Sequence, residues 1–230
     1  MNQQWIETAY TVSTWILPVV LAITLHEAAH GFVAHRCGDQ TAWQLGRVSL
    51  NPVKHVDPFG TLVLPGLLLL VRAPFIFGYA KPVPVNFRAL RNPRRDMVWV
   101  AAAGPATNIV LAVAAGLLVH LVGFLPGAAG EWCLMNLANT ITINVVLAVF
   151  NMIPLPPLDG GRVAVGLLPD VLAVPLARLE PYGMTIILGA LFILPIVGAQ
   201  LGSNLDIMGW LLTRPVDAVI EFVLRITGVA

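Results

Sequence analysis

The sequence predicts an all-α, multi-pass membrane protein, a polytopic helical bundle with a small β-hairpin or re-entrant insertion around residues 59–86. Three observations carry that prediction. Of the 230 residues, 57% are hydrophobic and only 11% charged, with a mean hydropathy of +0.82; soluble domains carry about 25% charged residues. Long apolar runs recur, separated by short polar connections. Nine of the thirteen Lys and Arg residues lie between Arg36 and Arg95, the kind of asymmetry that orients spans in a bilayer. The net charge of +1 gives no reason to expect a nucleic-acid partner. The chain reads as one unit over 1–230, with a core over about 12–165 and C-terminal helices over about 166–230. No cleavable signal peptide is expected, because the N-terminus lacks a basic region and runs directly into the first span.

The first span covers about residues 12–34 and carries His26-Glu27-Ala28-Ala29-His30 near its C-terminal end. A polar connection follows, and then an apolar stretch over 60–71, too short to cross alone because a helical span needs about 20 residues. Basic residues on both of its sides argue for re-entry from one face. Residues 75–85 are rich in β-formers but contain Pro82 and Pro84, which fit an edge strand or extended loop and exclude a central strand. Such an edge can dock an extended peptide; a hairpin packed over the helices is the equally simple alternative. The second span, about 96–124, opens with the AGPATN stretch at 103–108, whose small residues permit close helix approach. Asn108 in that apolar setting must find a partner, with structural glue the plain reading. A third span, about 136–150, ends in Asn151 and the proline-rich turn leading to Asp159-Gly160-Gly161-Arg162. A fourth apolar segment covers about 182–201. Residues 203–227 carry polar groups at helical spacing and read as an interfacial amphipathic helix or a span with its polar face inward.

The basic connections 36–58 and 72–95 belong in the cytoplasm and the uncharged-by-Lys/Arg loop near 125–131 outside. The first and third spans then run in the same direction, which puts HEAAH and the 151–159 turn at one depth, toward the cytoplasmic leaflet of the cell membrane. On a helix, His26 and His30 stand one turn apart on one face and can hold one metal ion, as in zinc hydrolases. Zinc in hydrolases takes three protein ligands and keeps a position open, and Asp159 is the best third candidate. Glu27 then serves as general base on metal-activated water, and Asn151 can donate to the oxyanion of the tetrahedral intermediate. A polar packing network without metal is the bland alternative. Cys37 and Cys133 fall at opposite faces, so no disulfide is expected, and Cys37 lies too far along from His30 to join the ligand set. His35 and His120 read as interfacial residues at helix ends. His55, beside Asp57, is either an ordinary loop hydrogen-bonder or a neighbour of the active site.

HEAAH, AGPATN and NMIPLPPLDGGR, in that order and spacing, resemble the site-2 protease family of intramembrane zinc metalloproteases, over about residues 20–165. The resemblance is to compact prokaryotic members, without a PDZ-like insertion or a cystathionine-synthase-type regulatory domain. It implies one zinc ion per chain held by His26, His30 and Asp159, Glu27 as the catalytic carboxylate, and Asn151 near the reacting carbonyl. It also implies hydrolysis of peptide bonds in or near transmembrane segments of membrane-protein substrates. A metal or solute transporter using the same ligands is the competing class, although no repeated halves are visible. A degenerate relative that only binds transmembrane partners is a third. The sequence leaves the oligomeric state open.

Overall fold

The computed structural model describes residues 2–70, 78–203, 205 and 207–229. The first helix, α1, runs Asn2–Arg36. At about 1.5 Å per residue it exceeds the roughly 30 Å of a bilayer core, and HEAAH falls near the C-terminal end of this long apolar helix. It stops at Gly38, whose φ of +112° turns the chain while the Asp39 N–H donates to the Ala34 carbonyl (3.0 Å). A short helix, α2 (Thr41–Gln44), and a 3₁₀ turn (Pro52–His55) follow. A π-helical turn (Pro58–Val63) then leads into α3 (Leu64–Leu70).

Helix α4 (Pro93–Val119) is the centre of the bundle, packing against α1, α5 (Gly127–Asn151) and α6 (Asp159–Leu167). Proline at its first turn leaves no helical N–H wasted there, and the Asp96 carboxylate accepts from the Asn92 N–H (2.8 Å). Beyond α6 come α7 (Asp170–Ala177) and α8 (Glu180–Leu188). A π-helical turn (Gly189–Ile193) joins α8 to α9 (Leu194–Gln200), and α10 (Ile207–Thr227) ends the chain. Among the described residues, four stretches are long and apolar enough to cross a membrane: Trp5–Arg36, Pro93–Val119, Gly127–Asn151 and Glu180–Gln200.

The insertion departs from expectation. Among the described residues there is no strand, so the β-hairpin expected within 59–86 is not found, and the part of it over 71–77 lies outside the described residues. The first half is instead the π-to-α helix, and residues 78–86 form an extended strap without a ladder. The reason lies in the donors. Pro82 and Pro84 have no N–H, and the remaining inward N–H groups are taken by loops and a side chain. Tyr79 donates to Gly60 O (3.0 Å), Lys81 to His55 O (2.9 Å) and Val83 to Glu27 Oε2 (2.7 Å).

Helix α10 also resolves a choice left open by its pattern. It turns Val216, Val219, Ile220, Val223 and Leu224 onto a core of Ala112, Ala115, Ile141 and Val145. Arg214, Asp217, Glu221 and Arg225 are exposed, so the polar face points outward. Its end is fixed where Gly116, lacking a side chain, admits Thr227, and the His120 imidazole bonds the Thr227 carbonyl (2.7 Å). His35, near the end of α1, stacks on Trp43 with ring centroids 4.4 Å apart.

Candidate metal centre

Helices α1 and α4 face each other through two stripes of four-residue spacing, Ala22, His26, His30 on one and Val100, Gly104, Asn108 on the other. The pairings run antiparallel. The His30 Nδ1–H donates to the Val100 carbonyl (2.7 Å), and the His26 Nδ1–H donates to Asn108 Oδ1 (2.5 Å). Asn108 is held in turn, its Nδ2 donating to Ala22 O (3.2 Å) and to Asn144 Oδ1 (2.7 Å) on α5, while Asn144 Nδ2 donates to Thr140 O (2.8 Å). The partner that Asn108 required is therefore a metal-ligand candidate as well as a neighbouring helix. Orienting bonds of this kind fix which imidazole nitrogen is left bare.

Gly104 sits between the two rings. A Cβ there would lie 2.5 Å from Nε2 of both His26 and His30. The small residue in AGPATN thus clears space for the imidazoles, beyond letting helices approach.

Asp159 arrives from the other end of the chain as the first residue of α6. Its loop is packed too tightly for side chains: a Cβ on Gly160 would meet Met152 O at 2.2 Å, and one on Gly161 would meet Pro156 N at 2.1 Å. Behind the loop, Gly183 of α8 lies against Pro156 and Pro157, and Arg162 pairs with Glu180 (3.2 Å). These contacts aim Asp159 Oδ2 at the histidines, 3.2 Å from His26 Nε2 and 3.3 Å from His30 Nε2, with the two Nε2 atoms 3.0 Å apart.

All three residues are buried, at 7%, 8% and 7% exposure for His26, His30 and Asp159. With both Nδ1–H groups spent elsewhere, neutral imidazoles at these positions would turn two lone pairs toward a carboxylate oxygen. Asp159 Oδ2 is buried without a hydrogen-bond partner. Acceptors so arranged repel one another unless a cation lies among them. Ligand atoms on a tetrahedral zinc at about 2.0 Å stand about 3.3 Å apart, close to these separations, so the donor set fits zinc in charge, type and spacing.

Glu27, on the adjacent face of α1, receives the Val83 N–H on Oε2 (2.7 Å). Asn151, at the end of α5, donates from Nδ2 to the Leu147 carbonyl (2.9 Å), so its amide lies along its own helix. His55 is buried and bonds Ser49 O through Nε2 (2.8 Å), while its main-chain carbonyl supports Lys81 of the strap. Cys37 packs beside Ala34, Leu90 and Val100. Burial pushes its thiol up, the nearby Asp96 carboxylate adds to this, and Arg91 and Arg95 oppose it. Both cysteines are free. An apolar groove of about 320 Å³ lies along the other side of α1, lined by Ala28, Ala29, Phe32, Leu50 and Thr107 among others.

Sequence comparison supplies the family. YwhC of Bacillus subtilis (strain 168), whose name carries the words zinc metalloprotease, is 40% identical over 185 residues, covering 79% of this chain and 80% of that protein. The chain belongs to peptidase family M50. The profile of that family matches residues 118–194, which include the 151–162 turn and Asp159. Rip2 of Mycolicibacterium smegmatis, named in the same words, is 33% identical over 143 residues, 61% of this chain and 52% of that protein. MJ0611 of Methanocaldococcus jannaschii, again so named, is 30% identical over 152 residues, 64% of this chain and 67% of its own length. No solved structure matches. Membership in a peptidase family, with four spans by length and composition, makes this M50 chain a multi-pass membrane protein and gives no support to a transporter.

Proposed function

We propose that this M50 zinc metalloprotease hydrolyses peptide bonds in or near transmembrane segments of membrane proteins, using His26, His30 and Asp159 as metal ligands and Glu27 as general base. The observation that carries the reading is the position of the acceptor triangle. Two of its members lie on α1 inside an apolar span, and the third is brought to the same depth by the 151–159 turn. A zinc ion held there supplies a Lewis acid, polarising a carbonyl and easing deprotonation of water.

The side chains do the rest. His26 and His30 present bare Nε2 atoms because Asn108 and Val100 O hold their Nδ1–H groups. Glu27 takes a proton from the attacking water and returns it to the leaving amine. Asn151 donates to the developing oxyanion, exchanging its Leu147 bond for the substrate carbonyl when substrate is present. A peptide bond in a helix is shielded by its own hydrogen bonds, so the substrate unwinds locally before cleavage. The groove beside Ala28 and Ala29 offers an apolar wall for such a segment. The basic connections around α1 and α4 support a reading in which this chemistry lies toward the cytoplasmic leaflet of the cell membrane.

The test is Glu27→Gln in detergent, with a helical transmembrane peptide as substrate. Zinc should stay at the wild-type level and cleavage should fall below detection. A Glu27→Gln protein that cleaves at the wild-type rate overturns the mechanism.

A further inference from the structure

The strap over 78–86 runs along α1, meeting it at two points and meeting the turn that follows it at a third. Val83 N–H donates to Glu27 Oε2 (2.7 Å), and Asn86 N–H donates to the buried carboxylate of Asp39 (2.7 Å). Between them the Val83 side chain seats over Gly31, where a Cβ would come within 3.1 Å of Val83 Cγ1 and 2.8 Å of Val48 Cγ2. Arg47 ties the start of the strap, donating to Lys81 O (3.0 Å) and Pro82 O (3.3 Å).

The sequence isolates one donor in this segment. Proline on either side of residue 83 removes both neighbouring N–H groups, so Val83 supplies the only N–H over 82–84. That donor goes to Glu27. Among the described residues it is the hydrogen bond the carboxylate receives, and it occupies one oxygen while the other stays available. Val83 is itself buried, and a residue before proline is confined to extended backbone, so the N–H direction is set by covalent and packing constraints.

We propose that the strap is a positioning element for the general base, with the Val83 main-chain N–H holding Glu27 Oε2 so that the second oxygen points to the reacting water. The inference rests on Glu27 being the base. Glu27 sits on α1 with rotatable side-chain bonds of its own, and a fixed N–H removes that freedom before substrate arrives. Gly31, Asp39 and Arg47 act through the strap, and Val83 acts through Glu27; none of them touches substrate in this scheme.

The test compares Val83→Pro, which deletes the N–H in an already extended, proline-flanked segment, with Val83→Ala, which trims the side chain and keeps the N–H. Purified zinc-loaded proteins are assayed on the same transmembrane peptide for kcat, KM and zinc content. Supporting partners of a metal site typically matter by about 10–100-fold. Val83→Pro should therefore lose about tenfold or more in kcat, with KM and zinc stoichiometry unchanged, and Val83→Ala should stay within about threefold of wild type. Should Val83→Pro lose zinc, the main-chain ester made by placing the α-hydroxy acid analogue of valine at position 83 removes the same hydrogen with little change of shape, and the same kcat loss is expected. Wild-type kcat in the proline or ester protein overturns the inference, as does an equal loss in Val83→Ala. Wild-type protein that holds zinc and cleaves nothing overturns the protease reading, and this inference with it.

Discussion

Each imidazole at this centre has one nitrogen committed to α4 and the other turned toward Asp159, and that asymmetry fits His26 and His30 to the proposed role of a ligand pair. Their four-residue spacing was readable from the sequence, since it follows from helix geometry alone. The commitments were not. Asn108 stood out as a polar residue in an apolar run, yet only the antiparallel register of α1 and α4 shows that its oxygen meets His26. Gly104 was visible only as one of several small residues, and its use is to leave room for two Nε2 atoms. Gly104→Ala therefore has a sharper expected outcome than its size suggests. The added methyl would stand 2.5 Å from both nitrogens, so one ring must move. Zinc affinity should fall by about tenfold or more, as outer-shell disruptions do, read from zinc retained after dialysis against a chelator. Ala102→Gly, on the same helix, should retain zinc.

At the scale of elements, the helices were legible and the insertion was not. Apolar runs long enough to span announce themselves, whereas residues 75–85 offered β-forming side chains with no sign of what their backbone would bond. Prolines at 82 and 84 gave the warning, and the consequence is a strap bonded to loops and to Glu27 rather than a hairpin. The polar stripe of α10 was readable as helical, but its outward direction follows from the packing of Val216, Val219 and Val223, which is tertiary information. The loop carrying Asp159 depends on an element far along the chain. Gly183 of α8 lies so close to Pro156 that a Cβ would be 1.7 Å from its carbonyl oxygen, whereas a Cβ on Gly189, six residues on, would meet nothing within 4 Å. Overpacking costs about 1–3 kcal/mol, and in a chain of this size each kcal/mol moves Tm by about 2–4 °C. Gly183→Ala should lower Tm by several degrees in detergent. Gly189→Ala should leave it unchanged or raise it slightly, as expected for alanine replacing glycine in a helix.

For the whole molecule, the fold brings residues far apart in the sequence to one buried point. His26 and His30 come from α1, Asp159 from the start of α6, and α4 lies against both and orients the histidines. Positive-inside reasoning anticipated that HEAAH and the 151–159 turn share a depth, because alternating spans leave few other arrangements. It could not anticipate how close they come, since that depends on the glycines at 104, 160, 161 and 183 having no side chains. The account stands on those three atoms holding one zinc ion, and zinc K-edge X-ray absorption on the purified protein tests this most directly. It should show one zinc per chain in a nitrogen and oxygen shell at about 2.0–2.1 Å, with the outer scattering of two imidazoles and no sulfur. A sulfur shell at about 2.3 Å, which would bring in a cysteine, or scattering from fewer than two imidazoles would contradict it.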